Sequence, residues 1–218
     1  MTIELLHIDC MEYMASQPDK SFDLAIVDPP YGIGENGGNE SRNRVVTNLY
    51  TRKEWDNCKP KKEYFKELER ISKQQIVWGA NHFIDIINKP SSCWIVWDKE
   101  NGGSDFADCE LALTSFNSAV RRFRYRWAGM LQGDMKNKEI RIHPTQKPVK
   151  LYEWILTNYA KPGMRVLDTH LGSASSAIAA HYFGCDFVGC ELDEDYYLAA
   201  KKRFEAETSQ IDLFAGEK

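Results

Sequence analysis

Residues 165–193 read RVLDTHLGSASSAIAAHYFGCDFVGCELD. Arg165–Leu167 is a short apolar run with strand character, and Asp168 closes it. Leu171-Gly172-Ser173-Ala174-Ser175 then opens an alanine-rich stretch with helical character to Phe183. The small residues at 172–177 let backbone approach a ligand closely, and a helix start supplies free N–H groups. Asp186–Gly189 reads as a second strand and runs into Glu191. That acid follows Gly172 by 19 residues, the separation at which a carboxylate on the next strand grips a ribose diol. Strand, small-residue turn, helix, strand and acid form one βαβ nucleoside-binding unit. There is no Gly-x-Gly-x-x-Gly, which disfavours a dinucleotide. An ordinary helix packed closely on a sheet would leave a similar pattern.

Outward from this unit, further strand-like runs fall at 4–8, 24–27, 75–78, 94–97, 110–114 and 122–127. Helical patterns fall at 61–71, 149–159, 173–183 and 193–207. In the first of these, Tyr64, Phe65, Leu68 and Ile71 share a face. Strands alternating with helices predict an α/β fold, a mostly parallel sheet flanked by helices. With 218 residues and 43% hydrophobic composition, the chain fits one domain over 1–218. Residues 32–60 are polar, rich in glycine and asparagine and without period, which predicts a mobile substrate-facing loop.

The run Leu24–Val27 ends in Asp28-Pro29-Pro30-Tyr31. Two prolines cannot continue a central strand, so the chain turns at the sheet edge, where ligands of open α/β sheets sit. The prolines hold φ and lack an N–H, which leaves rigid carbonyl acceptors. A carboxylate with a carbonyl beside it suits a substrate amino group that donates two N–H bonds. Tyr31 would offer a flat face for a stacked base. Taken alone, the tetrapeptide reads as well as a tight polar turn.

Six cysteines include no CxxC pair, and no histidine cluster has zinc spacing, so reduced thiols and no metal are expected. The first residues lack the charged start and apolar run of a signal peptide, and no segment has the apolar length of a membrane span. A cytoplasmic protein without a membrane partner is expected. The net charge is −4, yet residues 121–150 carry nine basic residues against Asp134 and Glu139. That is a net of +7, which leaves −11 for the remainder. A basic surface on an acidic body suits a polyanion, and a solvated charged face would have the same composition.

Together these blocks resemble the DNA amino-methyltransferases, which modify adenine N6 or cytosine N4. The resemblance rests on Asp28–Tyr31 and on Val166–Ser175. It extends through Gly189-Cys190-Glu191-Leu192-Asp193 with Tyr196, Ala199 and Arg203. His143-Pro144-Thr145-Gln146-Lys147-Pro148 and His7-Ile8-Asp9-Cys10 are similar to two further blocks of that family. The catalytic block precedes the cofactor block by 140 residues, the permuted order of its beta class. Protein-glutamine methyltransferases normally place the cofactor loop first. Two positions depart from the pattern: His170 stands where the family usually has Phe, and Ala174 where it has Gly.

The resemblance implies a Rossmann-like methyltransferase fold and S-adenosylmethionine as cofactor. It implies cofactor binding by Asp9, Cys10, Asp28, Lys147, Asp168, His170, Gly172, Ser173, Ala174 and Glu191. Within that set, Glu191 would hold the ribose, Asp9 would lie near the adenine, and Lys147 would reach the cofactor carboxylate or a DNA phosphate. Catalysis would fall to Asp28, Pro29, Pro30 and Tyr31 on a base flipped out of double-stranded DNA. Residues 121–142 would form a DNA-contacting insertion, and recognition would be short or shared across a homodimer. Asp28, where cytosine enzymes more often carry Ser, points to adenine N6, with cytosine N4 as the alternative. A catalytically silent partner subunit is a third reading, against which the intact Asp28–Tyr31 block counts.

Overall fold

The computed structural model describes residues 1–34, 56–102, 107–128 and 130–209. In chain order the elements are β1 (Ile3–His7), α1 (Cys10–Ala15), β2 (Phe22–Val27), α2 (Lys62–Ile71), β3 (Ser72–Trp78), α3 (Ile84–Ile87), β4 (Trp94–Asp98) and β5 (Cys109–Thr114). They continue with β6 (Arg121–Arg124), β7 (Trp127–Ala128), β8 (Leu131–Gln132), α4 (Val149–Tyr159), β9 (Arg165–Asp168), α5 (Ser175–Phe183), β10 (Asp186–Glu191) and α6 (Glu194–Thr208).

Eight strands form one sheet in the order β1-β10-β9-β2-β3-β5-β4-β6. Every neighbouring pair is parallel except the two that involve β5. That strand runs against β3 and β4 because it returns from β4 as a hairpin, pairing Trp94 with Leu113 and Asp98 with Cys109.

Strand residues alternate between two buried layers, as expected where both faces of a sheet are covered. Leu24, Ile26, Ile76, Trp78 and Val166 face the side of α4 and α5. Ala25, Val27, Val77 and Leu167 face the side of α1 and α2. The predicted face of α2 is the buried one, with Tyr64, Phe65, Leu68 and Ile71 all in the core.

The connection leaving β9 leads to β10 on one side, and the connection leaving β2 leads to β3 on the other. The topology therefore switches between β2 and β9. A crevice opens at such a point outside the carboxyl ends of the strands.

Some boundaries differ from the sequence expectation. α5 begins at Ser175 rather than Ser173, because Ala174 adopts a left-handed conformation as its N-cap. α1, six residues long, is too short to show a helical period in the sequence. Asp9 fixes it by accepting from Met11 N at 2.7 Å and Glu12 N at 3.1 Å. The expected strand at 122–127 breaks after Arg124, and Trp127–Ala128 pairs separately with β8. Residues 121–124, the start of the segment expected as an insertion over 121–142, are thus the edge strand of the main sheet. Of the expected loop at 32–60, residues 35–55 lie outside the described residues. Beside them, Asp56 is buried and accepts from Gly32 N at 2.8 Å. Among the described residues, no helix is long and apolar enough to cross a membrane.

Candidate active site

The sheet order gathers motifs that are far apart in sequence. β1, β10, β9 and β2 are consecutive parallel strands. Asp9 follows the first, Glu191 and Asp168 end the next two, and Asp28 follows the last. Four carboxylates therefore line one edge across three strand spacings, about 14 Å. That length suits an extended ligand made of a nucleoside and an amino acid.

The turn after β9 is shaped for close approach. Gly172 has φ +53° and Ala174 φ +61°. A Cβ built on Gly172 would come no nearer than 3.9 Å to anything, its neighbour being the His143 ring. Glu191 braces this turn, accepting from Gly172 N at 2.9 Å and Asp193 N at 3.0 Å. Asp168 accepts from His170 N at 3.0 Å and from the Ser176 hydroxyl at 2.6 Å. Arg203, buried on α6, donates to the Ser173 carbonyl at 2.8 Å and Ser175 Oγ at 2.9 Å. Its other nitrogen meets Glu139 at 2.7 Å, tying the turn to the segment ahead of α4.

Burial sets the protonation of this edge. It raises the Asp168 carboxyl to about 7, against the lowering effect of its bonds from Ser176 and His170 N. It lowers the His170 imidazole to about 4 and raises the Cys10 thiol, beside Asp9, to about 12. His170 is thus a neutral flat ring at physiological pH, lying edge-on to Tyr64 at 5.6 Å. An uncharged aromatic ring is also what the usual Phe would provide.

Across the switch point, Asp28 stands in a cavity of about 480 Å³. Tyr31 Oη donates to Asp28 Oδ1 at 2.7 Å, and Lys147 Nζ donates to Asp28 Oδ2 at 2.5 Å. The same ammonium donates to Tyr31 Oη at 3.2 Å and pairs with Glu110 Oε2 at 2.9 Å. Lys99 holds the other oxygen of Glu110. Desolvation alone would raise Glu110, but Lys147 and Lys99 outweigh it and bring the carboxyl down to about 2. Desolvation likewise opposes the charge on Lys147, and Asp28 and Glu110 win, so its pKa is raised. Lys147 is only 4% exposed, and its polar contacts lie with the catalytic block rather than with residues 168–175. Two carboxylates, Asp28 just after β2 and Glu110 on β5, draw it into this cavity.

Tyr31 is held from three sides. Its ring stacks on His82 at 5.0 Å and meets Phe83 edge-on at 5.9 Å. The third side is Gly79, just past β3, with φ +66°; a Cβ there would lie 2.1 Å from the ring. One face of Tyr31 is therefore taken by His82.

Gly79, Glu110, His82 and Trp127 all line this cavity and were not picked out from the sequence as site residues. Glu110 had a sequence signal, an acid inside an otherwise apolar strand, but its partners come from separate elements. Along the basic segment, Phe123, Tyr125 and Trp127 pack inward while Arg122, Arg124 and Arg126 are exposed. Arg124 is engaged by Asp98 and Glu100, at 3.4 and 2.8 Å. Cys58 and Cys109 are exposed and the other cysteines at least partly buried, all as free thiols.

Comparison with known proteins agrees with this architecture. Residues 96–202 match the family model described as DNA methylase, N6_N4_Mtase. The Type II methyltransferase M2.DpnII of Streptococcus pneumoniae is 26% identical over 93% of this chain and 90% of its own length. Among solved structures, the S-adenosylmethionine complex of M1.HpyAVI has a TM-score of 0.58 at 22% identity, covering 93% of this chain and all of that one. PvuII DNA methyltransferase, cytosine-N4-specific, has a TM-score of 0.61 at 13% identity, over 96% of this chain and 91% of its own. The chain is thus similar in sequence to DNA amino-methyltransferases over nearly its whole length, and it shares their fold.

Proposed function

We propose that this protein transfers a methyl group from S-adenosylmethionine to adenine N6 of a base turned out of double-stranded DNA. The observation that carries the proposal is the position of Asp28. It lies at the switch point, between the row of cofactor-side acids and the base-sized cavity. The block order, catalytic before cofactor, supports the permuted beta class.

The residues present fit the cofactor. Glu191 faces the turn as an acceptor for a ribose diol, and Asp9 stands at the far end of the edge for the adenine. The left-handed Gly172 and Ala174 keep side chains out of the crevice. Bound there, S-adenosylmethionine would supply an electrophilic methyl group carried on a positively charged sulfur.

The chain's own residues orient and neutralise. Asp28 accepts one amino N–H, and the Pro29 carbonyl accepts the other. This draws the nitrogen lone pair out of conjugation with the ring and stabilises the positive charge that develops on attack. Arrival of the amino group displaces the Tyr31 hydroxyl from Asp28 Oδ1. Tyr31 keeps one face on His82 and presents the other to the base. Exposed Arg122, Arg126, Lys136 and Lys138 supply phosphate contacts that position the duplex.

The test is incubation with labelled S-adenosylmethionine and duplex DNA of varied sequence, followed by nucleoside analysis. N6-methyladenine is expected. N4-methylcytosine would move the target to cytosine, and no methylated nucleoside on any DNA would overturn the enzyme reading. Asp28→Ala should abolish turnover while cofactor binding persists.

A further inference from the structure

We infer that Asp28 and Lys147 together read the amidine edge of the target base, with Lys147 donating to the ring nitrogen beside the methylated amino group. The inference rests on the proposed function and adds how the base is chosen.

The geometry that points to it is the Tyr31 hydroxyl. That single group donates to Asp28 Oδ1 at 2.7 Å and accepts from Lys147 Nζ at 3.2 Å. It therefore takes an acceptor and a donor that stand side by side. The carboxylate and ammonium beneath it are themselves 2.5 Å apart, and both line the cavity. An amino group next to an unprotonated ring nitrogen has the same donor–acceptor order. Adenine presents it as N6–H and N1, and cytosine as N4–H and N3. Thymine and guanine reverse it, setting a carbonyl oxygen against the carboxylate and a ring N–H against the ammonium. Both contacts then become repulsive, the circumstance in which a hydrogen-bonding site discriminates strongly.

Glu110 is the positioning residue for this device. An ammonium has three N–H bonds. Asp28 takes one, another points to Tyr31 Oη, and Glu110 Oε2 holds the ammonium as an ion pair at 2.9 Å. When the base displaces that hydroxyl, the donor that pointed to it is released, already aimed. Glu110 also balances the charge of Lys147, so that Asp28 keeps acceptor capacity for the substrate. Lys99 in turn holds Glu110 from β4. The alternation of charge from Lys99 to Glu110, Lys147 and Asp28 fixes the ammonium, whose side chain is almost wholly buried.

The experiment uses duplexes carrying the methylated site, with the target adenine replaced by 1-deazaadenine or by 7-deazaadenine. If the target is cytosine, 3-deazacytosine takes the first role. Both adenine analogues keep the amino group, and only the first loses the ring nitrogen in question. With the wild-type protein, kcat/KM should fall roughly ten- to hundred-fold for 1-deazaadenine, the size expected for a lost bond to a charged donor, and little for 7-deazaadenine. In Lys147→Met, adenine and 1-deazaadenine should be used equally. Equal use of the two by the wild-type protein would overturn the inference, as would a Lys147→Met protein that keeps the wild-type preference. The analogue arm needs no variant, so it decides the matter even if Lys147→Met does not fold. Absence of transfer to unmodified DNA would instead count against the underlying reading.

Discussion

The backbone of Gly79 and the ring of Tyr31 occupy the same few ångströms: a Cβ on residue 79 would lie 2.1 Å from Tyr31 Cε1. Gly79 also has φ +66°, and its N–H donates to the Leu111 carbonyl at 2.9 Å, so the backbone cannot easily retreat. Gly79→Ala must therefore push the ring away from His82 and pull its hydroxyl off Asp28. Displacement of this order in an aligned site costs about a hundred-fold in rate. Turnover should fall by that order while cofactor affinity, measured by calorimetry, stays within about two-fold, because Tyr31 lies on the base side. Unchanged turnover would show that the Tyr31 position does not matter.

That glycine marks where the sequence stops being informative. The strand ending at Trp78 is visible in its apolar run, and the acids at 28, 168 and 191 are visible because each terminates such a run. Their assembly follows once the order of blocks is known. Gly79 looks like any glycine at a strand end, since only the packed structure brings a tyrosine from 48 residues upstream onto it. Glu110 is hidden for a related reason. It sits on β5, the strand reversed within the main sheet among the described residues, and nothing local shows that the hairpin returns it to the cavity beside Lys147. Lys147 stands out in its block, but sequence gives the reach of a lysine and not its direction, so its pairing with Asp28 and Glu110 is not legible there. The break after Arg124 was equally illegible, as Tyr125 through Trp127 continue the alternating pattern without pairing in the main sheet.

Asp168 should make S-adenosylmethionine binding depend on pH. Its carboxyl titrates at about 7 in the folded protein, above its ordinary 3.8, so near neutrality it is partly protonated. A cationic ligand at this edge favours the ionised form and expels the proton. Affinity for S-adenosylmethionine should rise as pH goes from 6 to 8, with proton uptake by buffer at pH 7. Calorimetry in two buffers of different ionisation enthalpy measures that proton directly. Asp168→Asn should flatten the dependence, and a wild-type affinity independent of pH over this range would refute the assignment.

His170 and Asp168 act on stability in opposite senses. The His170 pKa is depressed from 6.5 to about 4, so the unfolded chain binds the extra proton first and stability is lost as pH falls through this window. Asp168 is raised, so the folded chain binds the proton first and stability is lost as pH rises from about 4 to 7. The two slopes largely offset each other in the wild-type protein. His170→Phe removes one and exposes the other. Relative to wild type, this variant should gain stability progressively below pH 6.5, by up to ~3 kcal/mol near pH 4. Urea denaturation at several pH values checks it, and a difference constant with pH would rule it out. Cofactor affinity at pH 8 should change little, since the neutral imidazole already presents an uncharged ring.

Ala174 carries a strain that the usual glycine at this position would not. It is fully buried, N-caps α5 and holds φ +61°. A left-handed conformation costs a residue with a Cβ about 1–2 kcal/mol. Glycine removes that cost but adds about 0.4–1 kcal/mol of unfolded-state entropy. Ala174→Gly should therefore stabilise the protein by roughly 0.5–1 kcal/mol, seen as a rise of a few degrees in Tm. The Ala174 N–H donates to the Leu171 carbonyl at 3.0 Å and its carbonyl accepts from Ile178 N at 3.0 Å, bonds that glycine retains. The turn should keep its shape, and cofactor affinity should hold or improve. A lower Tm in Ala174→Gly would mean that the methyl group contributes more by packing than the backbone loses by strain.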